Sequence, residues 1–261
     1  MTVLFYFLFM IISYLMGSVN NAIIICKILG LDIRQLGSGN PGTMNMVRSL
    51  GLHWGLLTLV LDAVKGVVPA LLGWYFLGEE SMEFGPDKMG MYLCAASVII
   101  GHMFPVYYQF KGGKGVASTL GVCMVFNPIV TSISFLILIL IIVITKMGFI
   151  ASFVGVGIPL IWQAVVEFIE FGSESGDIFN LINGFLLLAI YGSVIYMHRS
   201  NIKRFVQGKE NQIVLFGKNK SSKKIRIQMF EQLEQARIRK QERKAEKAKR
   251  KENSDENNQN N

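Results

Sequence analysis

Charged residues are scarce in this chain: they make up 17% of its 261 residues, whereas hydrophobic residues make up 51%. The run from Ile129 to Thr145 contains no charge at all. A soluble domain of this length does not need such runs, and stretches of about 17 to 25 apolar residues match the roughly 30 Å hydrocarbon layer of a bilayer. The alternating pattern of barrel strands is also absent. The composition therefore predicts an all-α, polytopic integral membrane protein.

Cysteine and histidine are rare, with three of each. Cys26, Cys94 and Cys123 lie in or beside apolar segments, and their odd number and wide spacing fit neither a disulfide framework nor a zinc site. We therefore expect three buried thiols, no metal site and no cofactor. The N-terminus also lacks a basic region and a clear cleavage site, which predicts a first spanning helix rather than a removed signal peptide.

Seven apolar segments are candidate membrane spans. They are Val3 to Cys26, Leu52 to Leu77, Met89 to Tyr108, Val116 to Asn127, Ile129 to Thr145, Gly148 to Phe168 and Ile178 to Met197. The fourth segment is short for a crossing, and Pro128 separates it from the fifth. A half-helix or a re-entrant segment remains the alternative there.

Cations and acids divide between the connections. The first, third, fifth and last connections carry lysine and arginine, whereas the second carries four acids against one lysine and the sixth carries acids only. The positive-inside rule therefore places the N-terminus outside and the odd-numbered connections and the C-terminus in the cytoplasm. Seven crossings make every connection agree with this orientation.

Apart from the basic tail beyond Asn211, three polar runs carry most of the glycines and cations of the odd-numbered connections and of the chain after the last span. The first is GSGNPGTMNMVRSLG (Gly37 to Gly51), the second is GHMFPVYYQFKGGKGVAS (Gly101 to Ser118), and the third is HRSNIKRFVQGKE (His198 to Glu210). A glycine-rich, cationic surface beside lipid is typical of a site for phosphorylated molecules.

In the first run, glycines permit positive φ and a close approach of the backbone to a ligand. Arg48 can bind a phosphate through two parallel hydrogen bonds. A helix that begins near Pro41 would add its free amides. A Gly/Asn-rich turn without a ligand is the alternative. The candidate site residues of this run are Gly37, Ser38, Gly39, Asn40, Gly42, Thr43, Asn45 and Arg48.

In the second run, two lysines flank two glycines, so the turn can offer amides and ammonium groups to an anion. A positive-inside loop anchored by aromatic residues is the alternative. The third run offers a titratable imidazole at the interface, and a snorkelling arginine with a capping asparagine is the alternative. The candidate residues of both runs are Lys111, Gly112, Gly113, Lys114, Gly115, His198, Arg199, Asn201 and Glu210.

Two ionisable residues lie inside the second span. Asp62 and Lys65 are three residues apart and so share one helical face. Ionisable groups in a membrane are costly and are usually paired or functional. We expect a pair that supports the site, and we expect His102 to make a structural hydrogen bond.

The runs, in this order, resemble the sequence patterns of one family. GSGNPGTMNMVR is similar to GSGNxGATNxxR, the second run to GHxFPVxxxFKGGKGVA, and the third to HRxNIxRxxxGxE; the segment DAVKG also resembles a family element. From Val3 to Glu210 the chain resembles the acyl-phosphate-dependent glycerol-3-phosphate acyltransferases, bacterial integral-membrane enzymes of phospholipid synthesis. It departs from them at Thr43-Met44, where Ala-Thr is usual, and at Asn20-Asn21, where a proline-containing sequence is common.

The resemblance implies that a fatty acyl group passes from acyl phosphate to the 1-hydroxyl of glycerol 3-phosphate, giving 1-acylglycerol 3-phosphate (lysophosphatidate) and phosphate. The site would lie at the cytoplasmic face of the bacterial inner (plasma) membrane. Ser38, Arg48 and Lys114 would hold phosphate and developing charge, while His198 and Asn201 would orient glycerol 3-phosphate.

The expected partners are acyl phosphate, glycerol 3-phosphate and membrane lipid, with no nucleic acid; the enzyme that makes acyl phosphate is a further candidate. Residues 1–211 would form the acyltransferase domain. Residues 212–261 would form a basic cytoplasmic tail, first helical and then disordered.

A transporter of an organic phosphate or another anion is the alternative function. It should show inverted internal repeats and cations facing both sides, and the sequence shows neither. A membrane-anchored adaptor acting through its basic tail would leave the three polar runs unexplained. The chain also lacks the H-x4-D motif of the acyltransferases that use acyl-CoA or acyl-carrier protein, because no histidine is followed by aspartate five residues later.

Overall fold

The computed structural model describes residues 2–78 and 88–213, together with the isolated positions 227, 234, 235, 238 and 241. The regular structure in residues 2–78 and 88–213 is helical throughout, as the composition predicts. The α-helices are α1 (Thr2–Ser18), α2 (Asn21–Ile28), α3 (Thr43–Leu50), α4 (Leu52–Leu77), α5 (Met89–Met103), α6 (Val116–Phe126), α7 (Pro128–Thr145), α8 (Gly148–Phe171), α9 (Ile178–Met197) and α10 (Arg199–Val206). Short 3₁₀ turns lie at Ile33–Gln35 and Val106–Tyr108.

Six of the predicted spans form helical segments that are long and apolar enough to cross a membrane. The fourth predicted span forms α6, whose 11 residues extend only about 16 Å at 1.5 Å per residue. The Asn127 side chain accepts a hydrogen bond from the Val130 amide (3.0 Å) and, with Pro128, starts α7 directly after it. Because the hydrocarbon layer is roughly 30 Å thick, α6 has the length of a half-helix.

The first predicted span is interrupted between α1 and α2, at Val19 and Asn20. The Asn20 side chain caps α2 by accepting a hydrogen bond from the Ile23 amide (3.0 Å), and it donates another to the Pro41 carbonyl (3.2 Å). Lys65 Nζ donates to the Val19 carbonyl (2.7 Å). Polar groups of the break are therefore bonded within the protein, as a membrane interior requires.

Glycine residues let helices α4 and α6 come into direct backbone contact. A Cβ atom at Gly66 of α4 would overlap the carbonyl oxygen of Ser118 in α6, and one at Gly121 of α6 would overlap that of Ala63 in α4. Small residues at such positions are the usual means of close helix packing in membranes. The short α6 is thus held tightly against α4.

The odd-numbered connections meet at one end of the bundle. Arg34 Nη2, in the first connection, donates to the carbonyl of Lys111 in the third (2.9 Å). The Ile213 amide, after the last helix, donates to the carbonyl of Lys146 in the fifth (2.8 Å). All three polar runs therefore lie at the same end of the protein.

The opposite end is joined by a polar cluster around Glu167, which is fully buried. Tyr92 Oη donates to Glu167 (2.7 Å), and Asn180 Nδ2 donates to its other oxygen (3.0 Å). Lys88, beside the second connection, pairs with Glu170, beside the sixth (3.0 Å). The described ends of the second and sixth connections therefore lie together at this end of the bundle.

All three cysteines are buried and free, which confirms the prediction of three buried thiols. Apart from its first two residues and the isolated positions, the predicted basic tail lies outside the described residues.

Candidate active site

A cavity of about 300 Å³ lies at the end of the bundle that carries the three polar runs. Most of its polar lining comes from the connections and from the chain after the last span, and includes Ser38, Asn40, Arg48, Lys114, His198, Asn201 and Glu210. Its apolar lining comes from α4, α6 and α7 and includes Leu52, Leu56, Leu59, Leu120, Phe135, Leu138, Ile139 and Ile142. Leu56 and Ile139 are 47% and 37% exposed on the bundle surface, so the apolar part of the cavity reaches the lipid-facing side.

Lys114 is held in the cavity by a chain of hydrogen bonds from the third run. It donates to Asn201 Oδ1, and Asn201 Nδ2 donates to Glu210 Oε1 (2.6 Å). Arg204 Nε donates to the second oxygen of Glu210 (3.1 Å). The chain fixes the ammonium group and places one carboxylate among several cations, which leaves the polar part of the cavity positive.

The environment of Lys114 lowers the pKa of its ammonium group. Burial, followed by the charge of Arg204, lowers the pKa of Lys114 to about 8; Glu210 opposes this effect and Arg48 adds to it. The side chain is therefore mostly an ammonium group at neutral pH and loses its charge in mildly alkaline solution.

Arg48 lies in the last turn of α3 and lines the cavity. Its Nη2 donates to the Asn211 carbonyl (3.3 Å) and its Nε to the Gln212 carbonyl (3.4 Å). Burial lowers the pKa of Arg48 from its ordinary value, with Glu210 acting in the opposite direction. An arginine keeps its charge in proteins, so a second cation borders the cavity with its guanidinium fixed by backbone carbonyls.

His198 follows α9 and lines the same cavity. Because a carbonyl can only accept, the 2.8 Å contact between Nδ1 and the Val194 carbonyl puts the proton of the neutral ring on Nδ1. Burial, followed by the charge of Lys114, lowers the pKa of His198 to about 4, although the Val194 bond opposes the shift. The ring is therefore neutral at pH 7 and has a lone pair at Nε2.

The turn of the first run is built around the buried Asn45 side chain. Asn45 Oδ1 accepts a hydrogen bond from the Ser38 amide (2.9 Å), and Nδ2 donates to the Leu36 carbonyl (2.9 Å). Gly37 has a φ of +56°, and a Cβ atom there would overlap Asn45 Oδ1. Asn45 thus shapes the turn, while the buried Thr43 hydroxyl, which has no hydrogen-bond partner among the described residues, lines the cavity.

The loop of the second run turns one lysine inward and the other outward. Gln109 has a left-handed backbone with a φ of 55°, which reverses the chain after the 3₁₀ turn. Gly113 packs against the His102 ring so closely that a Cβ atom would overlap Nε2. Lys111 is exposed and lies outside the cavity, whereas Lys114 lines it.

The cavity brings together most of the residues that the sequence predicts for the site. Ser38, Asn40, Gly42, Thr43, Asn45, Arg48, Asp62, His102, Lys114, Gly115, His198, Asn201 and Glu210 line it. Gly37, Gly39, Lys65, Lys111, Gly112, Gly113 and Arg199 are not among its lining residues. Arg199 is exposed, and its guanidinium lies 4.4 Å from the centre of the Tyr196 ring.

Several residues at the cavity or beside it were not predicted from the sequence. Arg204, which binds Glu210, stands at an arginine position of the third pattern and three residues after Asn201, so one helical turn would have placed both on one face. Ser152 and Phe149 of α8, Ile213, and the apolar lining of α7 carry no signal that separates them from lipid-facing residues.

Comparison with known proteins agrees with this geometry. Residues 7–208 match the family described as glycerol-3-phosphate acyltransferase. The glycerol-3-phosphate acyltransferase of Clostridioides difficile (strain 630) is 35% identical over 217 residues, which cover 82% of this chain and 98% of that relative. The one from Aquifex aeolicus (strain VF5) is 35% identical over 206 residues, covering 78% and 98%.

Two solved structures share the fold. The crystal structure of PlsY (YgiH), an integral membrane glycerol 3-phosphate acyltransferase, in its glycerol 3-phosphate form has a TM-score of 0.67 and 33% identity, covering 81% of this chain and 96% of that one. The lysophosphatidic acid form of the same protein has a TM-score of 0.63 and 32% identity, covering 80% and 96%. With helices of membrane-spanning length and a family match over residues 7–208, this chain belongs to the integral membrane glycerol-3-phosphate acyltransferase family.

Proposed function

We propose that this protein transfers a fatty acyl group from acyl phosphate to the 1-hydroxyl of glycerol 3-phosphate, giving lysophosphatidate and phosphate. The observation that carries this proposal is the joining of a cationic part and an apolar part in one cavity. Acyl phosphate has the same division, with an anionic head on a hydrocarbon chain. The names of the relatives, and the glycerol 3-phosphate and lysophosphatidic acid forms of PlsY, support the acceptor and the product.

In this proposal the cations receive the phosphates and the helices receive the acyl chain. Lys114 and Arg48 bind phosphate oxygens, with the Ser38 and Thr43 hydroxyls as further donors. The acyl chain lies along the apolar lining from α4, α6 and α7, and it enters from the membrane where Leu56 and the neighbouring surface are exposed. His198 and Asn201 orient glycerol 3-phosphate.

The reaction then requires no covalent enzyme intermediate, because phosphate is a good leaving group. The 1-hydroxyl oxygen attacks the acyl carbonyl carbon, the carbon–oxygen bond to phosphate breaks, and phosphate departs with the bonding electrons. The hydroxyl proton passes to a phosphate oxygen or to Nε2 of His198, both of which can accept it. Lys114 and Arg48 stabilise the negative charge that develops on the carbonyl and phosphate oxygens.

We also propose that α6 is the short fourth of seven crossings, with the N-terminus outside and the cavity at the cytoplasmic face of the bacterial inner membrane. The concentration of cations at the cavity end and the acids at the other end support this orientation. Residues 1–211 would then form most of the acyltransferase domain.

The proposed reaction is tested with purified protein, acyl phosphate and glycerol 3-phosphate in detergent. We expect lysophosphatidate and inorganic phosphate to appear in equal amounts, and no product when either substrate is omitted. Passage of unaltered glycerol 3-phosphate into protein-containing vesicles, without any lysophosphatidate, would instead favour the transporter.

The pH profile tests the charge of Lys114. Because burial lowers its pKa to about 8 and only the ammonium form attracts phosphate, kcat/KM should fall as the pH rises through about 8. Above this pH each further unit should cost about tenfold, since kcat/KM reports groups of the free enzyme. In Lys114→Arg the fall near pH 8 should disappear from whatever activity remains, because arginine stays charged. A wild-type profile that is flat to pH 9.5 contradicts this role; substrate hydrolysis without enzyme is the blank.

Truncation separates the first residues of the tail from the rest. Removal of everything after Lys220 should change turnover in detergent by less than about twofold, because each basic residue near an anionic leaflet contributes only about 1 kcal/mol to membrane attraction and the helices already anchor the protein. Removal of everything after Glu210 should lower turnover at least tenfold, because Arg48 loses its carbonyl partners and the buried Ile213 leaves the cavity wall. A large loss in the longer variant would place the distal tail in the active unit.

A further inference from the structure

One oxygen of the buried Asp62 carboxylate has no hydrogen-bond partner in the part of the chain that the structure describes. We propose that Asp62 accepts a hydrogen bond from the 2-hydroxyl of glycerol 3-phosphate, and that it thereby selects an acceptor with two neighbouring hydroxyl groups. The assignment rests on the proposed function and adds to it a residue that recognises the acyl acceptor.

The first oxygen of Asp62 is fully engaged. Asp62 is 1% exposed, and its Oδ1 accepts hydrogen bonds from Asn21 Nδ2 (2.8 Å) and from Lys65 Nζ (3.1 Å). Lys65 Nζ also donates to the Val19 carbonyl (2.7 Å) and to His102 Nδ1 (3.0 Å). An ammonium group has three donors, so Lys65 has none left for the second oxygen.

The second oxygen, Oδ2, is buried and has no hydrogen-bond partner among the described residues. Asp62 nevertheless lines the cavity, while Lys65 does not. A buried carboxylate oxygen without a donor is unfavourable, so a donor carried by a molecule in the cavity would stabilise it. Asn21 and Lys65 hold the carboxylate by Oδ1, which leaves Oδ2 as the oxygen for that molecule.

The chemistry of the two substrates identifies the group that donates a hydrogen bond to Asp62 Oδ2. An ionised acyl phosphate carries only acceptors at its head and would be repelled by a carboxylate, whereas glycerol 3-phosphate carries two hydroxyl donors. Its 1-hydroxyl has to face the acyl carbonyl near Lys114 in order to attack. The 2-hydroxyl is therefore the group that remains for Asp62.

The fold keeps Asp62 beside the cationic loop. His102 contacts the Asp62–Lys65 pair through Nδ1, and the other side of its ring packs against Gly113, the residue before Lys114. Asp62 and Lys114 therefore line one cavity from either side of the same imidazole, which suits a small polyol phosphate that spans both.

The experiment compares two acceptors that differ by one hydroxyl, glycerol 3-phosphate and propane-1,3-diol monophosphate. Wild-type protein should prefer glycerol 3-phosphate by about 100-fold or more in kcat/KM, as sites built to bind a substrate hydroxyl do. In Asp62→Asn, Lys65 and Asn21 orient the amide oxygen toward themselves and the NH₂ group faces the cavity. The preference should then fall at least tenfold, mainly through the loss with glycerol 3-phosphate.

The ratio of the two acceptors separates substrate recognition from damage to the fold, because a distorted bundle lowers both rates alike. Glu167→Gln is the matched control: it alters an equally buried carboxylate at the opposite end of the bundle and should leave the ratio unchanged. Asp62→Ala with Lys65→Met, which removes both charges, should lose the preference as well.

Calorimetric titration of each acceptor onto the full-length protein without acyl phosphate gives the same comparison independently of chemistry. An unchanged ratio in both Asp62 variants, or an equal loss with both acceptors, overturns the assignment while wild-type transfer upholds the proposed function. A wild-type protein that acylates neither acceptor contradicts the proposed function itself, and the titrations still decide whether Asp62 recognises the 2-hydroxyl.

Discussion

Lys114→Ala and Arg48→Ala should each lower acyl transfer by at least about 100-fold while the protein still folds and inserts. Both cations line the polar part of the cavity, where they would meet the charge that grows as the acyl–phosphate bond breaks. Removing one fixed donor from such a position typically costs about 100- to 1,000-fold in kcat. Rates with both substrates at saturation, measured on detergent-purified variants, give the comparison.

Two other lysines make the test selective. Lys203 is exposed at the same end of the bundle and lies outside the cavity, so Lys203→Ala should keep wild-type activity and elution volume in size-exclusion chromatography. Lys111→Ala, three residues from Lys114, should also stay within a few-fold of wild type because its side chain is exposed. Activity within a few-fold of wild type for Lys114→Ala or Arg48→Ala would refute the proposal that these two cations bind the phosphate oxygens.

Acyl phosphate should serve as the donor at a rate at least about 100-fold above acyl-CoA or acyl-carrier protein at equal concentration. The cationic lining around Lys114 and Arg48 suits a compact phosphate head that is both anchor and leaving group. A thioester would place a neutral sulfur there, without the charge that these residues attract. The sequence also lacks the H-x4-D motif of enzymes that use thioester donors.

The donor experiment follows lysophosphatidate formed from radiolabelled glycerol 3-phosphate with each donor in turn. Acyl phosphate should give one phosphate per product, and acyl-CoA should give only the background seen with Lys114→Ala. Robust product from acyl-CoA, with no acyl phosphate present or formed, is the result that contradicts this assignment.

The apolar lengths and the charge pattern were enough to predict most of the fold, but the interruption of the first span was not visible in them. Gly17, Ser18, Asn20 and Asn21 form a short polar stretch there, but they carry no charge and leave the segment long and apolar enough to be predicted as one span. The break is stabilised by Pro41 and Lys65, whose contacts form only when distant segments pack. A pattern read along the chain carries no such information.

The sequence predicts which polar runs form the site, and the structure shows which residues of each run enter the cavity. Lys111 and Lys114 are equivalent in the sequence KGGKG, and the left-handed backbone at Gln109 and the packing of Gly113 decide which one enters the cavity. Asn45 is of a residue type that often binds ligands, yet its side chain forms hydrogen bonds with the backbone of its own loop. The apolar lining of α7 looks like any lipid-facing surface in the sequence.

The gap between α1 and α2 also constrains how the newly made chain enters the bilayer. The first hydrophobic segment emerges before the donor to the Val19 carbonyl has been made, and the second emerges later with the charges of Asp62 and Lys65. Each is unfavourable in hydrocarbon alone, and each satisfies the other once Lys65 reaches Val19. We therefore expect the two segments to enter the lipid as a pair, so that assembly of the substrate-binding region begins before the rest of the protein has been synthesised.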